Sequence, residues 1–301
     1  VPKTDAKQFV PRRTVLRASA GVILGALWPS MECPAAAPKE AETVRSTRLY
    51  VFDLGTLAAP ADPYKTYGLK PEQLGEARMS VIGYLIVHPK GTLIWDTGVV
   101  PDEQVGTDAK GADRAGKRTL KDQLAEIGYS ESSITYLALS HYHGDHSANA
   151  NAFASSIWIV QKPERDAMFS DTPPPMILQA MPGYNKLKDS KTIILLKVDP
   201  YDVFGDGTIL IKPAYGHTEG SQILMVKLER TGWVALVGDL YHYPEERAAR
   251  TPTPSFDYNK EEDLASRARI EDYVKSMGAQ MWIEHDYAFH HKLKKSPLYY
   301  E

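Results

Sequence analysis

An α/β protein with mixed sheets is predicted from about Thr47 onward, on three observations. Short apolar runs rich in Val, Ile, Tyr and Trp alternate with turn signals. Helix-period patterns fall between some of these runs. The composition, 43% hydrophobic and 24% charged over 301 residues, is that of a globular chain able to bury a substantial core. In chain order the strands expected are Leu49–Leu54, Val81–His88, Leu93–Asp96, Tyr136–Ser140, Ile157–Gln161, Ile193–Val198, Ile209–Lys212, Gln222–Leu228, Trp233–Val237 and Met281–Glu284. Each is a run of β-branched, aliphatic or aromatic residues bounded by Gly, Pro, Asp or Ser. Helices are expected over Leu120–Ile127 and Glu262–Met277; in the second, Leu264, Ala268, Ile270, Val274 and Met277 form an apolar face.

Three segments fit neither period: Ala59–Arg78, Val99–Lys117 and Ser170–Lys188. Long irregular loops are often functional lids. In the third, the apolar residues Met176, Ile177, Leu178 and Met181 either wall a pocket or cover the core or an oligomer contact.

Residues 1–40 read differently from 41–301. Arg12 and Arg13 precede a weakly apolar run, Ala18–Trp28, and then Ala35, Ala36 and Ala37. Charged, apolar and small-residue regions in that order are an export signal, and paired arginines indicate the twin-arginine type. A surface helix is the other reading, but Gly21 and Gly25 weaken it by about 1 kcal/mol each. The expectation is a periplasmic or secreted protein with no stable membrane insertion after export. The single cysteine, Cys33, precedes any cut, so the mature chain would lack thiolate ligands and nucleophiles. A net charge of −3 gives no general attraction to nucleic acid.

Ser140–Ser147 reads SHYHGDHS, placing three of the chain's nine histidines beside an aspartate. His141 and His143 are two apart, so in extended backbone they leave on the same side. Gly144 permits a sharp turn that aims Asp145 and His146 at a second point. Imidazole and carboxylate are the ligands that zinc and similar borderline ions prefer. Further ligand types stand where apolar runs end: His217 in YGHTEGS, Asp239 in ALVGDLYHY and His285 in MWIEHD.

This order of motifs, HYHGDH, GHTEGS, GD after an apolar strand and a late His, resembles the metallo-β-lactamase superfamily over about Thr47–Asp286. Asp96 in LIWDTG matches a further motif of that superfamily. The resemblance implies an αββα sandwich with metals at one sheet edge. It implies two Zn²⁺, or another divalent metal: one on His141, His143 and His217, the other on Asp145, His146 and His285, with Asp239 bridging. Asp96 would orient a ligand histidine, or else simply form the turn.

Without a cysteine ligand, the branch that resembles this chain is the one with a bridging aspartate: lactonases, glyoxalase II, phosphotriesterase-like and RNA-processing enzymes. Acidity argues against RNA, and export against glutathione thioesters. The tail Asp257–Glu301 is similar to the N-acyl-homoserine lactonase family. The expected activity is therefore lactone ring opening by a metal-held hydroxide (quorum quenching), or hydrolysis of an aryl ester or organophosphate. The expected partner is a small-molecule lactone or ester, no nucleic acid, with a homodimer left open. An iron-loaded oxidoreductase and a metal-binding protein without turnover would use the same ligands.

The better-studied lactonases carry a tyrosine three residues after the bridging aspartate. Here that position is His242, between Tyr241 and Tyr243. Any of these three could contact substrate, and Asp145 could carry a proton to the leaving group as well as bind metal. His290 and His291, beside Lys292, Lys294 and Lys295, are expected on a solvated surface, and Glu284 and Asp286 either support His285 or end a strand.

Overall fold

The computed structural model describes residues 44–106, 118–196, 199–249 and 254–301. The proposed export segment, including Arg12, Arg13 and Cys33, lies outside the described residues, as does part of the second irregular segment.

Two mixed sheets form the centre. The first contains β1 (Arg48–Leu57), β2 (Met79–His88), β3 (Gly91–Trp95), β4 (Tyr136–Ala138), β5 (Ile157–Gln161) and β6 (Thr192–Leu195). The second contains β7 (Tyr201–Asp202), β8 (Ile209–Pro213), β9 (Gln222–Leu228), β10 (Gly232–Leu236) and β11 (Gln280–Trp282), while β12 (Tyr299–Tyr300) returns to pair with β1. The spatial orders are β12-β1-β2-β3-β4-β5-β6 and β11-β10-β9-β8-β7. Pairing is parallel from β3 through β6 and between β10 and β11, and antiparallel elsewhere.

Side-chain parity explains the layering. In β2 all ten residues are buried, and successive side chains leave on opposite faces. Ile82, Tyr84 and Ile86 meet Ile209, Ile211, Leu224, Val226, Val234 and Leu236 of the other sheet in the central core. Val81, Leu85 and Val87 turn outward and pack with Leu120, Leu124 and Ile177, from helices α2 (Leu120–Glu126) and α5 (Pro175–Ala180). On the far side Ile223, Met225 and Ala235 lie under Ile270 and Val274 of α7 (Lys260–Ser276). The result is an αββα sandwich, as the motifs imply.

The differences from expectation are local. Asp62 accepts a hydrogen bond from Lys65 N at 3.0 Å and Gly68 at φ 69° ends a helix, α1 (Pro63–Tyr67), inside the first supposedly irregular segment. Its capping signals bracket five residues, too few for a period to register. The third segment is also helical, because Pro175 occupies the first turn of α5, where a missing N–H costs nothing. α5 answers the pocket-or-core question with both: Met176 reaches a cavity, Ile177 enters the core, and Leu178 is exposed.

The apolar face assigned to α7 is right in its C-terminal half, where Ile270 and Val274 are buried and Met277 packs against them, and wrong before it. Leu264 is exposed, whereas Asp263, Ser266, Arg267, Ile270 and Val274 are buried. Arg267 Nε lies 2.8 Å from Asp263 Oδ2, so an ion pair occupies part of the inward face. His290 is likewise not solvated: on α8 (Tyr287–His290) it is buried and donates through Nε2 to Ile283 O at 2.9 Å. β7 and β12, each only two residues long, are too short to leave a strand pattern in the sequence.

Candidate metal centre and active site

The C-terminal ends of β4, β8, β10 and β11 deliver every predicted ligand to one region. His141 and His143 follow β4, and α3 (Gly144–Ser147) carries Asp145 and His146. Gly144 opens this helix, and the change of direction there carries Asp145 and His146 to the second group of donors. His217 lies between β8 and β9, Asp239 in the turn after β10, and His285 after β11.

The backbone around Asp239 requires glycine before it. Gly238 has φ +52°, and a Cβ there would lie 2.7 Å from Ser140 Cβ, so only glycine lets the two ligand loops touch. Gly216 acts similarly for His217, because a Cβ would stand 2.2 Å from Asp263 N.

Two groups of donor atoms converge, each within 4.8 Å: His141, His143, His217 and Asp239, and Asp145, His146, Asp239 and His285. Asp239 belongs to both and divides its oxygens between them. Oδ2 lies 3.4 Å from His217 Nε2 and 3.7 Å from His141 Nε2. Oδ1 lies 3.1 Å from His285 Nε2 and 3.2 Å from His146 Nε2. Asp145 Oδ2 completes the second group at 3.5 Å from His285 Nε2.

The groups are built for cations. His141 Nε2, His146 Nε2 and Asp239 Oδ1 are buried without a hydrogen-bond partner, an arrangement that costs ~1–3 kcal/mol per group unless something satisfies it. Burial, then the neighbouring imidazoles, hold His141 well below the ordinary histidine range; burial and His217 hold His143 down to about 3. Neutral imidazole is the form that ligates metal. Burial works against ionised Asp239, but His285, His146, His242 and His141 hold it well below the usual carboxylate range. A dinuclear site of divalent ions fits these residues.

The second ring nitrogens of His146, His217 and His285 are tied down, which fixes the orientation of those imidazoles. His217 Nδ1 is 2.9 Å from Asp257 Oδ1, and His285 Nδ1 donates to Ser80 O at 2.7 Å. His146 Nδ1 is 3.2 Å from Asp96 Oδ2, while Asp96 Oδ1 accepts from Ser140 N at 2.6 Å. Asp96 does this at φ 56°, a left-handed conformation uncommon for a non-glycine residue. It both forms the turn and orients the histidine. Glu284 Oε1 lies 3.5 Å from His146 Nδ1, and burial beside Asp96 and Asp239 pushes this carboxyl well above the glutamate range. Asp286 instead caps α8 by accepting from Phe289 N.

Sequence reasoning missed three buried carboxylates. Asp257 is one; the aspartate between Phe256 and Tyr258 was the only local hint. Glu164, on α4 (Lys162–Met168), accepts from Tyr142 N, Thr218 Oγ1 and Gly220 N at 2.7–2.8 Å, joining the loops that carry His141, His143 and His217. Glu246, on α6 (Pro244–Ala249), accepts from the backbone N–H groups of His242 and Tyr243 at 2.8 and 2.9 Å.

A cavity of about 410 Å³ opens over the groups. Its floor includes His143, Asp145, Asp239, His242 and His285, and its walls Leu57, Tyr67, Met79, Val99, Met176 and Phe256. Of the three residues left open after Asp239, only His242 faces it, with Nε2 3.2 Å from Asp239 Oδ2. Tyr241 and Tyr243 do not line it: their hydroxyls donate to Glu271 Oε1 at 3.2 Å and Ala77 O at 2.8 Å. Strand-like backbone at Tyr241 sends alternate residues to opposite sides, so His242 turns in and its neighbours turn away.

Similarity to known proteins agrees with this architecture. The Metallo-beta-lactamase superfamily profile matches residues 81–275. The chain belongs to the metallo-β-lactamase superfamily. It is a metal-dependent hydrolase of that superfamily, with the αββα fold and the mixed sheets described above. Among curated relatives, the N-acyl homoserine lactonase AttM of Azorhizobium caulinodans is 28% identical over 276 residues, covering 84% of this chain and 98% of the relative. An N-acyl homoserine lactonase of Bacillus cereus is 27% identical over 216 residues, covering 67% and 80%. Solved structures of the same fold include a Bacillus thuringiensis AiiA variant with N-decanoyl-L-homoserine bound (TM-score 0.66, 22% identity, 85% of this chain and 100% of that one). AidC, a dizinc quorum-quenching lactonase, is another (TM-score 0.62, 17% identity, covering 81% and 90%).

Proposed function

We propose that this hydrolase opens the lactone ring of N-acyl-homoserine lactones and does so with two divalent ions, zinc by preference. One observation carries the reading: Asp239 presents one oxygen to each of two complete ligand groups beneath an apolar-walled cavity. The names of the AttM and Bacillus relatives support the choice of lactone.

When bound, the ions supply a Lewis acid for the ester carbonyl and lower the pKa of water toward neutrality. The protein does the rest. Leu57, Met176 and Phe256 offer an acyl chain an apolar surface to bury against, at roughly 0.8 kcal/mol per buried methylene. His242, held by Glu246 through its backbone, presents an imidazole edge beside Asp239, where it can donate to the oxygen that gains charge. Asp145 is the least buried of the ligand candidates and borders the cavity. It is placed to pass a proton to the departing alkoxide.

The test is a panel assayed on metal-replete protein: acyl-homoserine lactones of graded chain length, an aryl ester, a phosphotriester and a β-lactam, alongside metal analysis. Lactones should be the best substrates, two zinc ions should bind per chain, and Asp239→Ala or His143→Ala should abolish turnover. Faster hydrolysis of the aryl ester or phosphotriester would reject the lactone assignment, and redox-active iron would reject the hydrolytic metal.

A further inference from the structure

We propose that Tyr67 is a substrate-contacting residue, its phenol donating a hydrogen bond to a carbonyl oxygen of the molecule in the cavity. The inference rests on the ester-hydrolase reading above and adds a second polar contact to that of His242. Tyr67 comes from α1, far from the metal motifs in sequence, yet it lines the same cavity as His242, Asp239 and His285. Its ring is fixed on several sides, with centroids 4.7 Å from His242, 5.3 Å from Tyr243 and 6.0 Å from Phe256.

The hydroxyl, by contrast, is poorly served. Tyr67 is only 4% exposed, and among the described residues its hydroxyl has one hydrogen-bond partner, the thioether of Met79 at 3.9 Å. Thioether sulfur is a weak acceptor, and a buried phenol normally finds a stronger one. A carbonyl oxygen of a bound ester or amide is the acceptor such a cavity would bring. Burial, with Tyr243 and the carboxylate of Asp239 nearby, keeps the phenol far above its ordinary pKa, so it remains a neutral donor. The packed ring costs little further ordering when substrate arrives, which suits a positioning contact.

The experiment compares wild type with Tyr67→Phe, which keeps the ring packing and removes only the hydroxyl. Substrates are N-decanoyl-homoserine lactone, an aliphatic γ-lactone without an amide, and an aryl ester, with metal content and thermal midpoint recorded for both proteins. The expected result is a loss of roughly 10- to 100-fold in kcat/KM with metal content and midpoint unchanged. A loss on every substrate, mainly in kcat, places the contact on the ester carbonyl. A loss confined to the acylamido lactone, mainly in KM, places it on the amide. Activity within twofold of wild type on every substrate overturns the proposal, and so does a loss accompanied by lower metal content or a lower midpoint. If wild type hydrolyses the aryl ester and no lactone, the lactone reading falls, and the same comparison on the aryl ester still decides the role of Tyr67.

Discussion

Replacing Asp257 with Asn should loosen one ion of the proposed pair and spare the other. The Asp257 side chain is fully buried and its Oδ1 stands 2.9 Å from His217 Nδ1, so it orients one imidazole of the His141, His143 and His217 group. The amide has the same shape but no charge. A hydrogen bond to a charged acceptor contributes about 1.5–3 kcal/mol and one between neutral groups about 0.5–1.5, so the loss is about 1–2 kcal/mol. That corresponds to roughly 10-fold weaker ion affinity, at the lower end of the ~10–100-fold typical for groups behind a metal ligand. The other group shares Asp239 but keeps supports of its own, because His285 is held by Ser80 O and His146 by Asp96. Dialysis against graded chelator, followed by metal analysis, should therefore reveal a range in which the variant retains one ion per chain while wild type retains two. Activity should fall across the same range and return with excess metal. If both ions leave together at the wild-type chelator concentration, Asp257 does not govern one site, and the assignment of His217 to a separate group is wrong.

Further expectations follow from other contacts. Phe256→Ala should raise KM about 3–10-fold for long-chain lactones and less for short ones, since Phe256 lines the cavity wall; equal effects across chain lengths would remove it from the acyl path. Gly216→Ala should destabilise the fold by several kcal/mol and reduce metal uptake, because the added methyl meets the backbone of Asp263 at 2.2–2.4 Å; chemical denaturation and metal titration measure both. Asp263 is pushed up from the ordinary 3.8 to about 7 by burial, against the pull of Arg267. A carboxyl whose folded pKa is raised contributes stability that is complete below about pH 4 and lost as pH rises through about 7. Asp263→Asn should flatten the decline in urea midpoint between about pH 4 and 7, and an unchanged slope would move its source elsewhere. Lys replacement of Arg12 and Arg13 should retain the enzyme in the cytoplasm, measured by fractionation; full periplasmic activity would refute the proposed export signal.

The candidate ligands were legible because the sequence concentrates them: His141, His143, Asp145 and His146 fall within six residues, and His217, Asp239 and His285 each stand shortly after an apolar strand ends. Strands were legible for a related reason, since β2, β5 and β9 are long enough for burial on both faces to leave an unbroken apolar run. What escaped was polar and non-local. Glu164 lies 22 residues from Tyr142 and 56 from Gly220, and Asp257 lies 40 from His217. A buried carboxylate has no periodicity of its own and looks like any surface acid until the fold supplies its donors.

The misread face of α7 follows from the same physics and bears on the site. Hydropathy favours Leu264 as the inward residue, yet the inward positions hold Asp263 and Arg267, and Arg267 Nη2 reaches Glu246 Oε2 at 3.3 Å. Glu246 in turn accepts from the backbone N–H of His242. A chain of buried charges thus runs from α7 to the residue that faces the cavity beside Asp239. An apolar face would pack α7 at least as stably, since buried ion pairs seldom outweigh their desolvation. Its polar alternative fixes the direction in which His242 enters the cavity, and that orientation, unlike bulk stability, depends on which residue follows Asp239 by three.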